Sequence, residues 1–266
     1  MFPNLLRLFR YRVLILSLVA RELKARYRGS VLGFLWSFIN PLLLLTVYWF
    51  IFTTILPNRT AGLKPYALFM LCGILPWTWF SASLTEASNS LIAGGNLIKK
   101  VLFPAEVLPL VSVLANLVHF LLPLPLVVLL LVYFDRAPEL NGLLWLPIVV
   151  LVQAVFTAGL GLILAALTVH FRDIRDILTN VLMLWFFSTP IIYFYDQPEF
   201  VPYKRFHFFD VNPMAHLVIS YQEILFFQGG FGHWKWLSVL ASVSVVVFLA
   251  GYWLFDRLRD SFAEVV

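Results

Sequence analysis

The sequence predicts an all-α polytopic membrane protein, and three observations carry that prediction. Of 266 residues, 61% are hydrophobic and only 12% charged, about half the charged share of a soluble domain. Six apolar spans contain no Asp, Glu, Lys or Arg. The spans are continuous rather than alternating in polarity, which excludes a β-barrel and leaves helices, whose backbone is satisfied within each segment.

The spans read Gly33–Leu56, Tyr66–Thr85, Val107–Phe134, Leu143–Val169, Ile177–Tyr195 and Trp236–Phe255. Each is near or above the roughly 20 residues a helix needs to cross the hydrocarbon core. Residues 1–266 therefore read as one transmembrane domain. With the N-terminus inside, the inner segments hold 13 Lys and Arg against 6 outside. That bias predicts a multi-pass protein with both termini cytoplasmic. The net charge of +5 reads as cytoplasmic anchoring and not as a nucleic-acid footprint. Arg10 and Arg12 precede the apolar run Val13–Ala20, but the run is short for a signal peptide and charges resume at once.

Residues 10–28 predict an amphipathic helix lying on the inner membrane surface. Ser17, Arg21, Lys24 and Arg28 share one face at helical spacing, and Leu16, Val19, Leu23 and Tyr27 share another. Glu22 and Arg26 form an i,i+4 pair in the favourable order. Such a surface suits a plain anchor or a cytoplasmic partner.

Several spans carry breaks. Asn40-Pro41 lies in the first, Gly73 and Pro76-Trp77 in the second, Pro123 and Pro125 in the third, and Ser188-Thr189-Pro190 in the fifth. Proline removes a backbone hydrogen bond, and lipid cannot replace it. The breaks predict packing kinks or a bundle that encloses a cavity. In the fourth span Gly161 and Ala165 make a small-xxx-small pair, which suits an intrachain contact or a dimer seam.

Between the second and third spans, residues 86–106 include Gly94, Gly95, Lys99, Lys100 and Pro104. Residues 170–176 form a charged turn with Arg172, Asp173, Arg175 and Asp176. On the outer side, the segment between spans five and six is too long for a turn and too broken for a span. It predicts short re-entrant helices dipping into the outer leaflet, with Leu217, Val218, Tyr221, Ile224, Leu225 and Gln228 at helical spacing.

The chemistry points away from catalysis. No G-x-x-x-x-G-K-[ST] phosphate loop occurs, nor any zinc-type Cys/His spacing. The single cysteine, Cys72, lies within a span. His119 is the one histidine inside a span, where a hydrogen bond to a neighbouring helix suits it. An ion-driven pump needs ionisable groups at membrane depth. Their scarcity predicts that energy for transport enters from outside the bilayer.

Aromatic residues make up 17% of the chain. Trp36, Tyr48 and Trp49 on span one, Trp77, Trp79 and Phe80 on span two, and Trp185, Tyr193 and Tyr195 on span five suit either an interfacial belt or a stacking track. Ring faces that meet sugar C–H surfaces could line a channel for a long polymer.

The run Arg21-Glu-Leu-Lys-Ala-Arg-Tyr-Arg-Gly-Ser-Val-Leu-Gly-Phe-Leu-Trp-Ser-Phe-Ile-Asn-Pro41 resembles the opening of the membrane subunit of bacterial ABC exporters for O-antigen, teichoic acid and related polysaccharides. Gly73-Ile-Leu-Pro-Trp77, Phe171-Arg-Asp-Ile-Arg-Asp176, Thr189-Pro190 and Asn212-Pro-Met214 fall in the family's order. Many members carry an arginine in the helix after the Asn-Pro motif, where this chain has Tyr221-Gln222-Glu223.

The resemblance implies a bacterial inner-membrane assembly of two such permeases with two nucleotide-binding ATPase subunits. A lipid-linked polysaccharide would pass along the dimer axis. ATP and Mg would sit on the partner subunit, with no cofactor or metal on this chain. It assigns Arg21, Glu22, Lys24, Arg26, Arg28, Gly94, Gly95, Lys99, Lys100 and Pro104 to the ATPase contact. The turn at 172–176 would lie nearby, and residues 196–232 would form the outer gate. Competing readings are an exporter of a drug or small lipid, export of teichoic acid or capsule, and an ion-coupled secondary transporter.

Overall fold

The computed structural model describes residues 11–55, 63–99, 103–194 and 209–265. Lys100, Tyr195 and residues 196–208 of the expected outer gate lie outside these.

All regular structure among the described residues is helical. Helix α1 spans Arg12–Arg26, α2 Trp36–Phe50, α3 Tyr66–Ala93 and α4 Gly95–Ile98. Helices α5 (Val107–Leu121) and α6 (Leu124–Tyr133) are separated at Leu122-Pro123. They are followed by α7 (Leu140–Leu143), α8 (Leu146–His170) and α9 (Ile174–Phe187). Helix α10 covers Pro213–Leu225 and α11 Trp234–Val265.

Helix α3 is the axis. Most of its side chains are buried, including Phe69, Met70 and Phe80 at 0% exposure. Helix α5 runs antiparallel to it: Gly94 meets Leu108, Glu86 meets Asn116, and Trp79 stacks on Phe120. Helix α8 runs parallel to it, with Gln153 on Pro76, Phe156 on Phe80 and Gly161 on Ala87. By contrast α2 buries only Ser37 and Pro41 and leaves Trp49 and Phe50 exposed.

Among the described residues, five helical stretches are long and apolar enough to cross a membrane: Gly33–Ile55, Tyr66–Ala93, Val107–Tyr133, Leu140–His170 and Trp234–Phe262. The expected fifth span, Ile177–Tyr195, is not one continuous helix. Helix α9 has 14 residues, about 21 Å at 1.5 Å per residue, and the hydrocarbon core is roughly 30 Å thick. It ends where Pro190 has no N–H to give and the Ser188 and Thr189 hydroxyls bond back to the Leu184 and Trp185 carbonyls.

Two helices run further than their apolar runs. Helix α3 continues past Thr85 to Ala93, bringing Glu86 onto a helix. Helix α11 continues through the expected C-terminal tail. There Tyr252, Phe255 and Phe262 pack with Leu91, Leu162 and Ala166. His170 Nε2 lies 3.0 Å from Ser261 Oγ, and Arg259 lies 3.9 Å from the buried carboxylate of Glu106.

Glycines permit the closest helix approach, between α8 and α11. A Cβ on Gly159 would lie 2.7 Å from the Phe248 backbone, and one on Gly251 would lie 2.4 Å from the Gly159 carbonyl oxygen. Since Gly159 meets Phe248 and His170 meets Ser261, the two helices are parallel. The chain between them must therefore return to the opposite end of the bundle. The predicted small pair is also intrachain: a Cβ on Gly161 would lie 3.2 Å from Ala87 Cβ. Gly159→Leu should split α8 from α11 and cost roughly 1–3 kcal/mol or more through overpacking, whereas Gly161→Ala should be tolerated better. Melting curves of the two variants in detergent, read beside the parent, check this.

Candidate functional site at the N-terminal end of the bundle

Helix α1 packs beside the first turns of α5. Leu18 and Val19 meet Val107, Val111 and Ala115, with Leu14, Ile15 and Leu23 flanking. Of the predicted apolar stripe, Val19 is buried and Leu23 partly so, while Leu16 is 66% exposed. The packed face is thus rotated from the expected one, because α5 offers small and β-branched partners to Leu18 and Val19.

Beside this contact lies a cleft of about 530 Å³ lined by α1, α3, the start of α5 and the start of α9. It gathers residues from three separate predicted elements: Arg21 and Glu22 of the N-terminal helix, Gly94 of the following loop, and Arg175 and Asp176 of the charged turn. Lys24, Arg28, Lys99, Arg172 and Asp173 are exposed but do not line it. Gly95 and Pro104 are buried, so they shape the loop and present no surface. Gly94 has a packing reason to be glycine: its Cβ would meet Leu108 Cδ1 at 2.4 Å and the Ser90 carbonyl oxygen at 2.9 Å.

Arg26 turns inward. Its guanidinium donates to both carboxylate oxygens of Glu86, at 2.9 and 2.8 Å, and to Asn116 Oδ1 at 2.9 Å. Asn116 Nδ2 donates to Glu86 at 2.7 Å and to the Ser112 carbonyl at 3.0 Å. Next along the chain, the Tyr27 hydroxyl bonds to Ser37 Oγ and lies 2.9 Å from His119 Nδ1. His119 therefore has the neighbouring hydrogen bond its sequence context suggested. A second pocket of about 490 Å³ opens on the other side of this cluster, between α2, α3 and α5.

Sequence reasoning did not single out Glu86, Asn116, Glu106 or Arg259. Glu86 and Asn116 lie 30 residues apart on two helices, so no spacing rule joins them. A polar residue inside an apolar span was the available signal.

The aromatic residues divide. Trp77, Trp79 and Phe80 are buried at 7%, 2% and 0% in the chain's own core. Trp77 packs on Trp185 and Phe186, and Trp79 Nε1 donates to the Val113 carbonyl. Trp36 and Trp49 are exposed, while Tyr48, Trp185 and Tyr193 are half-buried.

Residues 13–226 match the ABC-2 type transporter family. An O-antigen export system permease protein RfbA of Myxococcus xanthus is 42% identical over 261 residues, 97% of each chain. An RfbA of Klebsiella pneumoniae is 34% identical over 253 residues, 95% of each chain. The polysialic acid transport protein KpsM of Escherichia coli is 23% identical over 257 residues, 94% of each.

The chain belongs to the ABC-2 type transporter family.

As an ABC-2 transporter with several apolar membrane-length helices, it is a multi-pass membrane protein. Its short motifs are partners of one another. Gly73 leaves room for Gln222, whose Nε2 a Cβ there would approach to 3.0 Å. Gln222 donates to the Pro190 carbonyl at 3.1 Å. Asn212 caps α10 by accepting from the Met214 and Ala215 N–H groups. It also accepts from Trp185 Nε1 at 2.8 Å and donates to the Ser188 carbonyl and Thr189 hydroxyl. Helix α10, expected to bury one face, is buried on nearly all sides.

In the first turn of α10, His216 Nδ1 and His233 Nε2 of this ABC-2 chain lie 2.9 Å apart, and His216 Nε2 lies 3.0 Å from the Asp210 carbonyl. Trp236 stacks on His216. Burial pushes His233 down to about 4, aided by the neighbouring His216 and opposed by Asp210. Burial also lowers His216 and raises the Glu223 carboxyl. Between pH 6.5 and 4 the unfolded chain binds the His233 proton and the folded chain does not, so stability falls on acidification. At roughly 1.4 kcal/mol per pH unit, His233 contributes a loss of about 2 kcal/mol by pH 5, with Glu223 acting in the opposite sense. The melting temperature should drop between pH 7.5 and 5, and His233→Gln should make the drop smaller.

Proposed function

We propose that this chain is the membrane subunit of an ATP-driven exporter that moves a lipid-linked, O-antigen-like polysaccharide across the bacterial cytoplasmic membrane. The observation that carries the reading is full-length similarity to proteins named O-antigen export permeases. It is joined to a cleft that gathers Arg21, Glu22, Gly94, Arg175 and Asp176 at one end of the bundle. A drug exporter would share the family, but those relatives favour a polysaccharide.

In this reading the cleft faces the cytoplasm and receives a separate ATPase subunit that binds ATP and Mg. Two permease copies and two ATPase subunits make the working unit, and both termini are cytoplasmic. Helix α1 lies at the inner membrane surface, with Val13 and Leu16 turned outward from the bundle. Six crossings follow if α9 and the residues after it supply the return that parallel α8 and α11 require. Among the described residues, the exposed Trp36 and Trp49, with the half-buried Tyr48, Trp185 and Tyr193, are the aromatics left to face a polymer, since Trp77, Trp79 and Phe80 are taken up by the core. The outer segment 196–232, with α10 wedged into the bundle, would form the gate.

The partner's two nucleotide states would bias two arrangements of the bundle by docking differently to each. Deleting the gene should abolish surface O-antigen-like polysaccharide while the lipid-linked polymer accumulates inside, and unchanged surface polymer would refute the reading. Charge reversal at the exposed Arg21 and Lys24 should reduce export at least tenfold, with the chain still inserted in the membrane and co-purification with the ATPase weakened.

A further inference from the structure

We infer that the triad Arg26–Glu86–Asn116 is the strut through which a push on α1 reaches the membrane-embedded helices. The inference rests on the proposed ATPase docking and adds residues to it.

Arg26 is the last residue of α1, Glu86 sits in the last third of α3, and Asn116 lies in the middle of α5. The rest of the α1 contact is apolar packing of Leu18 and Val19 on Val107, Val111 and Ala115. Apolar side chains can slide past one another. Charge-assisted hydrogen bonds, here Nη2 of Arg26 to both Glu86 oxygens and Nη1 to Asn116, are directional and resist that. Arg26 spends both terminal nitrogens inside the chain, and Asn116 closes the triangle by bonding to both partners. Asn116 is 3% exposed, so the joint is anchored in packed interior.

Position supports the same role. Glu86 and Ser112 line the cleft, whereas Arg26 and Asn116 line the second pocket. The triad is the partition between the surface where a partner would press and the pocket between α2, α3 and α5. Arg21 and Glu22 also line that cleft, one turn before Arg26. A displacement applied there is carried by a short stiff helix to the triad, and by the triad to α3 and α5 together. Arg26 is thus a positioning residue and not a contact for the ATPase.

The test uses the permease co-expressed with its ATPase and reconstituted in vesicles. Polyprenyl-linked glycan extracted from the host cells is the probe, and glycan translocated per ATP hydrolysed is the readout. Glu86→Gln and Arg26→Gln should each lower that ratio at least tenfold, with assembly and ATP hydrolysis within twofold of the parent. The swapped pair Arg26→Glu with Glu86→Arg should recover part of the loss, which assigns the effect to the pair, while retained assembly and ATP hydrolysis in the single variants separate it from a folding defect. An unchanged ratio in the single variants would overturn the inference, as would an increase, since the triad would then be a restraint. Loss of assembly in the single variants without recovery in the swap would overturn it too. If the parent complex itself neither assembles nor moves glycan, the proposed function fails instead.

Discussion

Inside a bilayer a polar group that loses its partner has no water to turn to, and that constraint organises this chain. Pro76 lies inside the long buried helix α3, and Gln153 of α8 donates to its carbonyl at 2.8 Å. Pro190 ends α9, and Gln222 of α10 reaches its carbonyl. A proline leaves the carbonyl four residues before it without its helical donor, whereas Gln153 and Gln222 reach the prolines' own carbonyls. These side-chain bonds act as registers, setting where α8 and α10 sit against the proline-bearing segments. Gly73 then decides how closely α10 can approach, because a side chain there would collide with Gln222.

The two ends of the bundle use polar chemistry differently. At the end that holds α10, the Asn212 side chain makes five hydrogen bonds, two capping α10 and three to the end of α9, and His216 and His233 lie against each other under Trp236. At the N-terminal end, polar groups join elements of different character: a helix outside the bundle to two within it, and the C-terminal helix to the loop before α5. The central packing between them is glycine-close and aromatic. Such a layout suits motion of one end relative to the other, because tightly packed interiors move as units and do not deform continuously.

Much of this was legible in the sequence. Charge-free runs located the five long helices, since the cost of a charge in lipid leaves a clear blank. The motifs around Gly73, Thr189 and Asn212 are visible as separate short runs, but their mutual bonding is not, because contact between residues on different elements, 23 positions apart for Thr189 and Asn212 and far more for Gly73 and Gln222, has no local signature. The fifth span was drawn too long because hydropathy does not register that the Ser188 and Thr189 hydroxyls and Pro190 close a helix. In helix α10 the helical spacing of Leu217, Val218, Tyr221, Ile224 and Leu225 marks an apolar face, but it does not show that the polar His216 and Gln222 are also paired within the protein. The aromatic run Trp77-Thr-Trp-Phe80 looked available for a ligand, and composition cannot tell a ring in a core from a ring on a wall. Glu86 was read as a loop residue because the apolar run stops at Thr85, while the helix continues for eight residues more.

That continuation bears on where the energy enters. Glu86 is the carboxylate that the longer helix holds beyond its apolar run, and a group driving ion-coupled transport must gain and lose its charge partner during the cycle. Here both oxygens are held by Arg26, with Asn116 donating to one of them. Releasing a proton-binding carboxylate from such a site means breaking a directional pair and leaving a guanidinium without its counter-charge, which is costly in a partly buried setting. The charge inside this end of the bundle is committed to holding helices together. The exposed Arg21 and Lys24 of α1 are not among the groups that form that lock.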